Sequence, residues 1–274
     1  MNPNLHLILK EADDAIQRRS INGYRGGVRC GVDLGTAYVS LFVLTEDNQP
    51  LVGTYTYAEI VRDGLVVDFG GAVDLVRKMK AEIETRLGFE LHSAATAYPP
   101  GVPLTEVRAT RYVLEAAGFN CSALVDEPTA ANAVLQVENG AVVDIGGGTT
   151  GIAIVQEGKV IYTADEPTGG THFTLVISGA LKIPFAEAEA RKINMEEQTR
   201  LLTIVRPVME KVGTIIQQHI RAYDVDCIYL VGGSSAFKGI AGVIENVTGI
   251  KTVVPGNPLF VTPLGIAMND QLSL

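Results

Sequence analysis

The 274-residue chain contains no tryptophan and only three cysteines. Cys30, Cys121 and Cys227 are too far apart in sequence to form a metal-binding pair, and their odd number and wide spacing argue against a disulfide framework. We expect all three to be small buried side chains in a reducing cytoplasm. We therefore expect no function based on cysteine chemistry.

Long apolar runs and a basic excess are also absent. No uncharged apolar run approaches the ~18–20 residues that span a bilayer, and the N-terminus lacks the basic start and apolar core of a secretory signal. The 22 Lys and Arg residues against 31 Asp and Glu residues give a net charge of −9. We therefore expect a cytoplasmic protein that has no nucleic-acid partner and no membrane partner.

The composition is that of a compact globular protein. Hydrophobic residues make up 47% and charged residues 19% of the chain. A disordered chain would have fewer hydrophobic and more charged residues. A prior of ~150 residues per domain gives about two domains, or one domain of two similar halves.

The N-terminal residues 4–20 carry apolar side chains at helical spacing, so they are predicted to form an amphipathic helix. A glycine-rich break at residues 22–27 separates this helix from the rest of the chain. Two interpretations stay open. The helix packs on the body of the protein, or it is a detachable helix that docks in a groove of a partner.

One strand–turn–strand pattern occurs twice. Residues 28–34 and 37–44 are predicted to be strands joined by a turn at Gly35 and Thr36. The pattern returns over residues 141–155, at a separation of 144 − 33 = 111 residues, which is too long for a solenoid repeat. The repeat indicates two related α/β halves that face each other.

The remaining periodicity predicts helices alternating with strands. The predicted helices cover residues 72–87, 104–117, 129–136, 173–193, 195–221, 238–248 and 258–269, with Gly118 as a C-cap. Extended segments are predicted near 51–57, at 93–99 and 122–128, and at 227–233 and 252–255.

Five short motifs point to a polyanionic ligand. Asp33 and Asp144 each end an apolar strand and are followed by glycines, which allow a phosphate to approach the backbone. A hairpin turn needs at most one or two glycines, so the run Gly146–Gly148 indicates a close ligand. The other motifs are Glu127-Pro-Thr-Ala-Ala before a helix, Leu230-Val-Gly-Gly-Ser-Ser235 between strand and helix, and the small-residue segment Pro263-Leu-Gly-Ile-Ala267.

In this order and spacing, the five motifs resemble the actin-like ATPase superfamily, which includes sugar kinases, DnaK-type chaperones and bacterial actins. The resemblance covers residues 28–269 and implies an α/β fold of two RNase H-like lobes, with ATP and Mg²⁺ in the cleft between them. It implies the lobe boundaries 26–138 (completed by 258–274) and 139–257, after an N-terminal helix and linker at 1–25. By resemblance, the first phosphate loop comprises Asp33, Gly35 and Thr36, and the second comprises Asp144, Gly146, Gly147, Gly148 and Thr149. The resemblance implies adenosine contacts at Gly232, Gly233 and Ser234. It also implies that the catalytic acids, which bind the metal through water, are Asp33, Glu127 and Asp144.

A closer resemblance is to the ethanolamine-utilisation protein J family, which is described as chaperone-like. It rests on the segments Val61–Phe69, Tyr98–Gly101, Val125–Thr129, Val143–Val155 and Ala164–Gly170. The resemblance implies partners among ethanolamine-utilisation enzymes or microcompartment shell proteins, and an association with a bacterial microcompartment.

The chain also departs from the superfamily pattern. The two arm subdomains are missing or reduced, and no lysine occurs between residues 11 and 77 to position the γ-phosphate. Gly151 and Ala236 stand where DnaK-type chaperones have an aspartate and an adenine-stacking arginine. Lost charge at the γ-phosphate weakens catalysis more than binding, so we expect ATP binding with slow hydrolysis or none.

Four functions are compatible with these features. The leading one is an ATP-binding, chaperone-like accessory protein of ethanolamine utilisation, without the separate peptide-binding domain of a DnaK-type chaperone. The alternatives are a nucleotide-free scaffold on the same fold, a small-molecule kinase, and a filament-forming actin. The trimmed arms count against the last two.

Overall fold

The computed structural model describes residues 1–21, 23–62, 65–101 and 104–272. Asp63 and Gly64, which belong to the Val61–Phe69 motif, lie outside the described residues. The chain divides into two compact units. Unit 1 comprises Met1–Gln136 and Phe260–Leu274, and unit 2 comprises Val137–Leu259.

Unit 1 contains one five-stranded sheet, one short hairpin and helices on both faces. Its helices are α1 (Leu5–Gln17), α2 (Phe69–Leu87), α3 (Leu104–Ala116), α4 (Glu127–Leu135) and α9 (Val261–Met268). Its strands are β1 (Val28–Leu34), β2 (Tyr38–Thr45), β3 (Pro50–Tyr57), β4 (Val61–Arg62), β5 (Leu65–Val66), β6 (Ser93–Tyr98) and β7 (Asn120–Asp126).

The sheet of unit 1 has the order β3-β2-β1-β6-β7. The first three strands form an antiparallel meander, and β1, β6 and β7 run parallel. Side chains alternate along β1, so that Val32 belongs to the apolar core that also contains Val76 of α2 and Val113 of α3. Gly31 and Asp33 therefore point to the other face of the sheet.

The N-terminal helix is packed on its own unit. Leu5, Ile8 and Leu9 of α1 are buried, and Arg18 donates two hydrogen bonds of 2.9 Å to the carbonyl oxygens of Pro50 and Leu51 on β3. The structure agrees with the first interpretation of this helix, in which the body of the protein covers its apolar face.

Helices α4 and α9 cross at very short range, as their small residues predict. A Cβ atom on Gly265 would lie 1.8 Å from the carbonyl oxygen of Ala130. On the opposite side of α9, a Cβ atom on Gly31 would lie 2.4 Å from the backbone nitrogen of Ala267. Only glycine fits at these two positions, and α9 is thereby held tightly between α4 and the sheet.

Unit 2 repeats the architecture of unit 1. Its strands are β8 (Gly140–Ile145), β9 (Thr150–Gln156), β10 (Lys159–Glu166), β11 (Cys227–Val231) and β12 (Lys251–Val253). Its helices are α5 (Gly170–Leu181), α6 (Phe185–Ile193), α7 (Gln198–Ile220) and α8 (Ile240–Thr248). The strand order is β10-β9-β8-β11-β12, with the same alternation of antiparallel and parallel pairs as in unit 1.

Two sequence-based predictions need correction, and one strand was not predicted. The single helix predicted over 173–193 is wrong, because Lys182 adopts a left-handed conformation and Pro184 follows, so that α5 and α6 are separate helices. The segment 159–166 was not predicted as a strand but forms β10. Cys227 is half-buried, whereas Cys30 and Cys121 are buried as expected.

The other predicted elements occur close to their expected positions. Gly118 has the positive φ of +91° that its predicted role as C-cap requires. Within the described part of the chain, no helix combines the length and the apolar character that crossing a membrane requires.

Candidate functional site

The glycine loop between β8 and β9 is held in one conformation by bonds to its carbonyl groups. The Gly146 carbonyl oxygen accepts from the Gly170 amide at 2.9 Å and from the Ser234 hydroxyl at 2.7 Å. The Gly147 carbonyl oxygen accepts from the Thr171 amide at 2.8 Å. Two consecutive carbonyl groups of the loop are therefore directed at the first turn of α5.

This orientation fixes the direction of the neighbouring amide groups. In a trans peptide the C=O and N–H groups point in opposite directions, and no cis peptide occurs among the described residues. The amides of Gly147 and Gly148 share their peptide planes with the two bonded carbonyls, so both point away from α5. Successive backbone N–H groups directed to one side form an anion-binding nest.

The close approach of α5 to the loop depends on two further glycines. A Cβ atom on Gly169 would lie 2.9 Å from the carbonyl oxygens of both Gly146 and Gly147. A Cβ atom on Gly170 would lie 2.3 Å from the Ser234 hydroxyl oxygen. The φ of Gly169 is −171°, an ordinary extended value. The requirement for glycine at position 169 is therefore one of space and not of backbone strain.

Asp144 lies against the junction that follows β11. It is the last but one residue of β8, pairs with Val231 in the parallel register, and is 8% exposed. A Cβ atom on Gly232 would lie 2.1 Å from Asp144 Oδ1, and Gly232 has a φ of +85°. Both the space and the backbone conformation at position 232 thus require glycine. The second phosphate loop and the Gly232–Ser234 segment, predicted separately, are brought together in unit 2.

A buried ion pair lies behind the first turn of α5. Lys192 Nζ is 2.8 Å from Glu189 Oε2 and donates to the Gly170 carbonyl oxygen at 3.2 Å. The side chains of Lys192 and Glu189 are only 11% and 16% exposed. Burial lowers the pKa of Lys192, and the Glu189 carboxylate opposes that shift. The cation lies close to the carbonyl side of the glycine loop.

In unit 1 the first predicted phosphate loop is a tight hairpin turn. Asp33 pairs with Ser40 across β1 and β2, and Gly35 and Thr36 lie in the turn between these strands. A Cβ atom on Gly35 would lie 2.7 Å from the carbonyl oxygen of Tyr38. The turn can therefore close this tightly only with glycine at position 35.

Glu127 is the first residue of α4 and directly follows β7. The Asp126 side chain caps this helix by accepting from the Thr129 amide at 3.0 Å. Since β1, β6 and β7 are parallel neighbours, Asp33 and Glu127 both lie at the carboxyl-terminal edge of the sheet in unit 1.

Sequence reasoning did not identify Gly169, Gly170, Glu189 or Lys192 as parts of the site. The glycine pair after β10 was noted only as part of a family motif. A lysine and a glutamate three residues apart on a helix are usually solvent-exposed, and their burial depends on contacts between distant segments. Among the described residues, no group of three or more His, Cys, Asp or Glu side chains is placed to bind a metal ion.

The two units have the same strand order, and in each the first strand has an aspartate as its last but one residue and a glycine turn after it. These features define the class as the actin-like ATPase fold. The chain matches the family model of the MreB/Mbl protein over residues 44–196. It also matches the model of the cell division protein FtsA over residues 141–268. The predicted fold class is thereby confirmed.

Comparison with individual proteins is more specific. The ethanolamine utilization protein EutJ of Escherichia coli K12 is 43% identical over 242 residues, which are 88% of this chain and 85% of that protein. The crystal structure of EutJ from Carboxydothermus hydrogenoformans, at 44% identity, superimposes with a TM-score of 0.92 and covers 97% of this chain and 98% of that one. The chain belongs to the EutJ family of ethanolamine utilization proteins, as its motifs predict.

A more distant similarity links part of the chain to a chaperone. The chaperone protein HscA homolog of Histophilus somni is 30% identical over 142 residues, which are 48% of this chain and 22% of that protein.

Proposed function

We propose that this protein is an ATP-binding, chaperone-like accessory protein of ethanolamine utilization. The observation that carries the proposal is the orientation of the loop after β8. Its Gly146 and Gly147 carbonyls are bonded to α5 and Ser234, so the Gly147 and Gly148 amides are directed to the opposite side. Amide groups in this arrangement bind phosphate oxygens. EutJ family membership and the partial similarity to HscA support the accessory and chaperone-like parts of the proposal.

In this proposal each loop has a distinct role. The amides of Gly147 and Gly148 and the hydroxyl of Thr149 bind phosphate oxygens, and Gly35 and Thr36 are the proposed phosphate contacts of the first loop. Gly232 and Gly233 contact the adenosine. Ser234, whose hydroxyl donates to Gly146, positions the loop.

The acidic residues fit a hydrated cation. Asp33, Glu127 and Asp144 would repel the phosphates of ATP, and carboxylates are the ligands that Mg²⁺ prefers, often through water. We propose that each of these acids contributes to Mg²⁺ binding through water molecules, since no group of three or more such side chains among the described residues is placed to bind an ion directly. When bound, such a cation would supply neutralisation of the phosphate charge. One of the three carboxylates would also orient the attacking water.

We further propose that hydrolysis is slow. No lysine is present between residues 11 and 77 to stabilise the charge that develops on the γ-phosphate, and the Lys192 ammonium group is paired with Glu189 behind the loop. Electrostatic stabilisation of the transition state is commonly the largest contribution to such a reaction. The bound nucleotide would then act as a state that partners read. The proposed partners are ethanolamine-utilisation enzymes or shell proteins of a cytoplasmic microcompartment.

The second candidate function is a scaffold that has kept the fold without binding nucleotide. Gly151 and Ala236, at positions where related chaperones carry an acidic and an adenine-stacking residue, favour it.

Isothermal titration of the full chain with Mg-ATP distinguishes the two functions. The ATP-binding proposal predicts saturable heat from the native chain. It also predicts that Asp144→Ala lowers the affinity for Mg-ATP at least tenfold, a loss of about 1.4 kcal/mol in binding free energy. No heat in the native protein would favour the scaffold. Turnover on the order of 10 s⁻¹, an ordinary enzymatic rate, would refute slow hydrolysis while leaving nucleotide binding intact.

A further inference from the structure

The ammonium group of Lys192 is buried and bonded to the backbone of the first turn of α5. Lys192 lies in the last turn of α6, its side chain is 11% exposed, and its Nζ donates to the Gly170 carbonyl oxygen at 3.2 Å. Removing an ion pair from water is costly, and a buried salt bridge is therefore weak evidence of a stabilising role. The burial of this cation calls for an explanation beyond the stability of the fold.

The surroundings of Lys192 separate the two charges of the pair. Glu189 Oε2 lies 2.8 Å from Lys192 Nζ and also accepts a hydrogen bond from the Thr174 hydroxyl. Thr174 Oγ1 is in turn 3.0 Å from the Gly170 carbonyl oxygen. The carboxylate is thus bonded to two side chains, whereas the ammonium group brings its positive charge directly to the Gly170 carbonyl.

Two peptide groups connect Gly170 to the ligand side of the glycine loop. The Gly170 carbonyl and the Thr171 amide belong to one peptide plane, and this amide donates to the Gly147 carbonyl oxygen at 2.8 Å. The Gly147 carbonyl shares its plane with the Gly148 amide, which points away from α5. A continuous chain of hydrogen bonds therefore runs from Lys192 Nζ to an amide of the anion-binding nest.

Hydrogen bonds in such a chain polarise one another. A cation bonded to a carbonyl oxygen draws electron density through the peptide group, so that the N–H of the same group becomes a stronger donor. The strengthening is about 10–30% per bond inside a protein, and a bond with an ionised donor is roughly twice as strong as a neutral one. The effect needs no contact between the lysine and the ligand.

We propose that Lys192 is a positioning residue of the nucleotide site, whose charge is relayed through two peptide groups to the Gly148 amide and strengthens its hydrogen bond to a phosphate oxygen. The assignment rests on the proposed function and requires no metal ion. It provides positive charge from behind the loop in a chain that has no lysine between residues 11 and 77.

A double substitution removes the charge without leaving its partner unpaired. Lys192→Met/Glu189→Gln replaces both ions by neutral side chains of similar length, which proteins tolerate far better than the loss of one partner. Lys192→Met alone leaves the Glu189 carboxylate buried without its cation and should be the less stable variant. Lys211→Met is the control, because it removes a lysine at an exposed position of α7 in the same unit.

Titration with Mg-ATP and urea unfolding without nucleotide separate binding from stability. The double variant should unfold at the urea concentration of the native chain but bind Mg-ATP about threefold or more weakly. Lys211→Met should bind as the native chain does.

Amide spectra of the unliganded chain, recorded by NMR, test the relay without nucleotide. The Thr171 and Gly148 amide protons should move upfield in the double variant, since both become less polarised. The Gly147 amide is the internal reference, because the carbonyl of its peptide group is bonded to Gly170 and Ser234 and not to Thr171. Its resonance should move much less.

Three results would overturn the assignment. Heat from the native chain that the double variant reproduces with equal affinity would refute the role of Lys192 alone, and so would unchanged Thr171 and Gly148 resonances. A loss of affinity confined to Lys192→Met, together with lower stability, would assign the ion pair a purely structural role. No heat from the native chain would refute the proposed function itself, and the role of Lys192 in binding with it.

Discussion

At the scale of single residues, Gly169 determines whether the loop after β8 can present its amides. A methyl group at this position would lie 2.9 Å from two loop carbonyl oxygens, and a backbone atom at that distance has to move. Gly169→Ala should therefore displace the Gly146–Gly148 loop and weaken Mg-ATP binding by about tenfold or more, a loss of ~1.4 kcal/mol. Titration calorimetry measures the change.

Gly179 is the matched control for Gly169→Ala. It lies near the end of α5, and a Cβ atom there would meet no atom within 4 Å. Gly179→Ala should leave nucleotide binding unchanged and stabilise the helix by up to ~1 kcal/mol. Equal affinities of both variants would contradict the role assigned to the contact between α5 and the loop.

The buried carboxyl group of Asp270 is expected to make the stability of the protein depend on pH. It is 2% exposed and accepts hydrogen bonds from the Cys30 amide at 2.8 Å and from the hydroxyls of Ser93 and Ser122. Burial raises the pKa of its carboxyl group, and the hydrogen bonds oppose this shift. The native state therefore retains the proton to higher pH than the unfolded chain does.

The sign of the pH dependence follows from that raised pKa. The stability that Asp270 contributes is fully present below its unfolded pKa and is lost as the pH rises through the folded pKa. The advantage of the native chain over Asp270→Asn in unfolding free energy should thus shrink as the pH rises above about 4, the ordinary pKa of an aspartate. Asp74→Asn, which removes a carboxyl group at an exposed position, is the control variant. Urea unfolding across this range checks it, and an advantage that grows with pH would contradict it.

At the scale of secondary-structure elements, α1 is part of the core of unit 1. Leu9 is 2% exposed and Leu7 is 58% exposed on the same helix. Leu9→Ala should lower the unfolding free energy by about 2–5 kcal/mol, whereas Leu7→Ala should change it by less than ~0.5 kcal/mol. Urea unfolding of both variants tests this. Similar stabilities would indicate a helix that is detached in solution, and would revive its role as a docking segment.

Most elements could be predicted because their signals are local. The hairpin of β1 and β2 follows from two apolar runs around one glycine, and the end of α3 follows from Gly118, whose φ is +91°. Strand β10 was missed because its alternating residues are half-buried and polar, as expected at a sheet edge. The break at Pro184 was overlooked because the surrounding apolar spacing continued the helical period.

Within the candidate site, features that depend on neighbouring residues could be predicted from the sequence, and features that depend on contacts between distant segments could not. Asp144 and the glycines after it are adjacent in sequence, so their association could be recognised directly. The contact of Gly169 with the loop joins segments more than twenty residues apart, and the burial of Lys192 depends on how α5 and α6 pack. Neither leaves a periodic or compositional signal.

At the scale of the whole molecule, the two units share one strand order, which explains the repeat of the Asp-Gly motif along the chain. The overall net charge of −9 would repel a nucleotide. Binding of a polyanion must therefore depend on local groups, such as oriented amides and a bound cation, rather than on the overall charge. The predicted lobe boundaries and the roles of the individual site residues stay predictions.

The most direct test of the central claim is Mg-ATP binding in calorimetry, measured for the native chain, Asp144→Ala and the control Gly179→Ala. If the oriented amides of the loop after β8 bind phosphate, the native chain gives saturable heat, Asp144→Ala binds Mg-ATP about tenfold or more weakly, and Gly179→Ala binds it as the native chain does. An absence of heat from the native chain, or native affinity of Asp144→Ala, would contradict it.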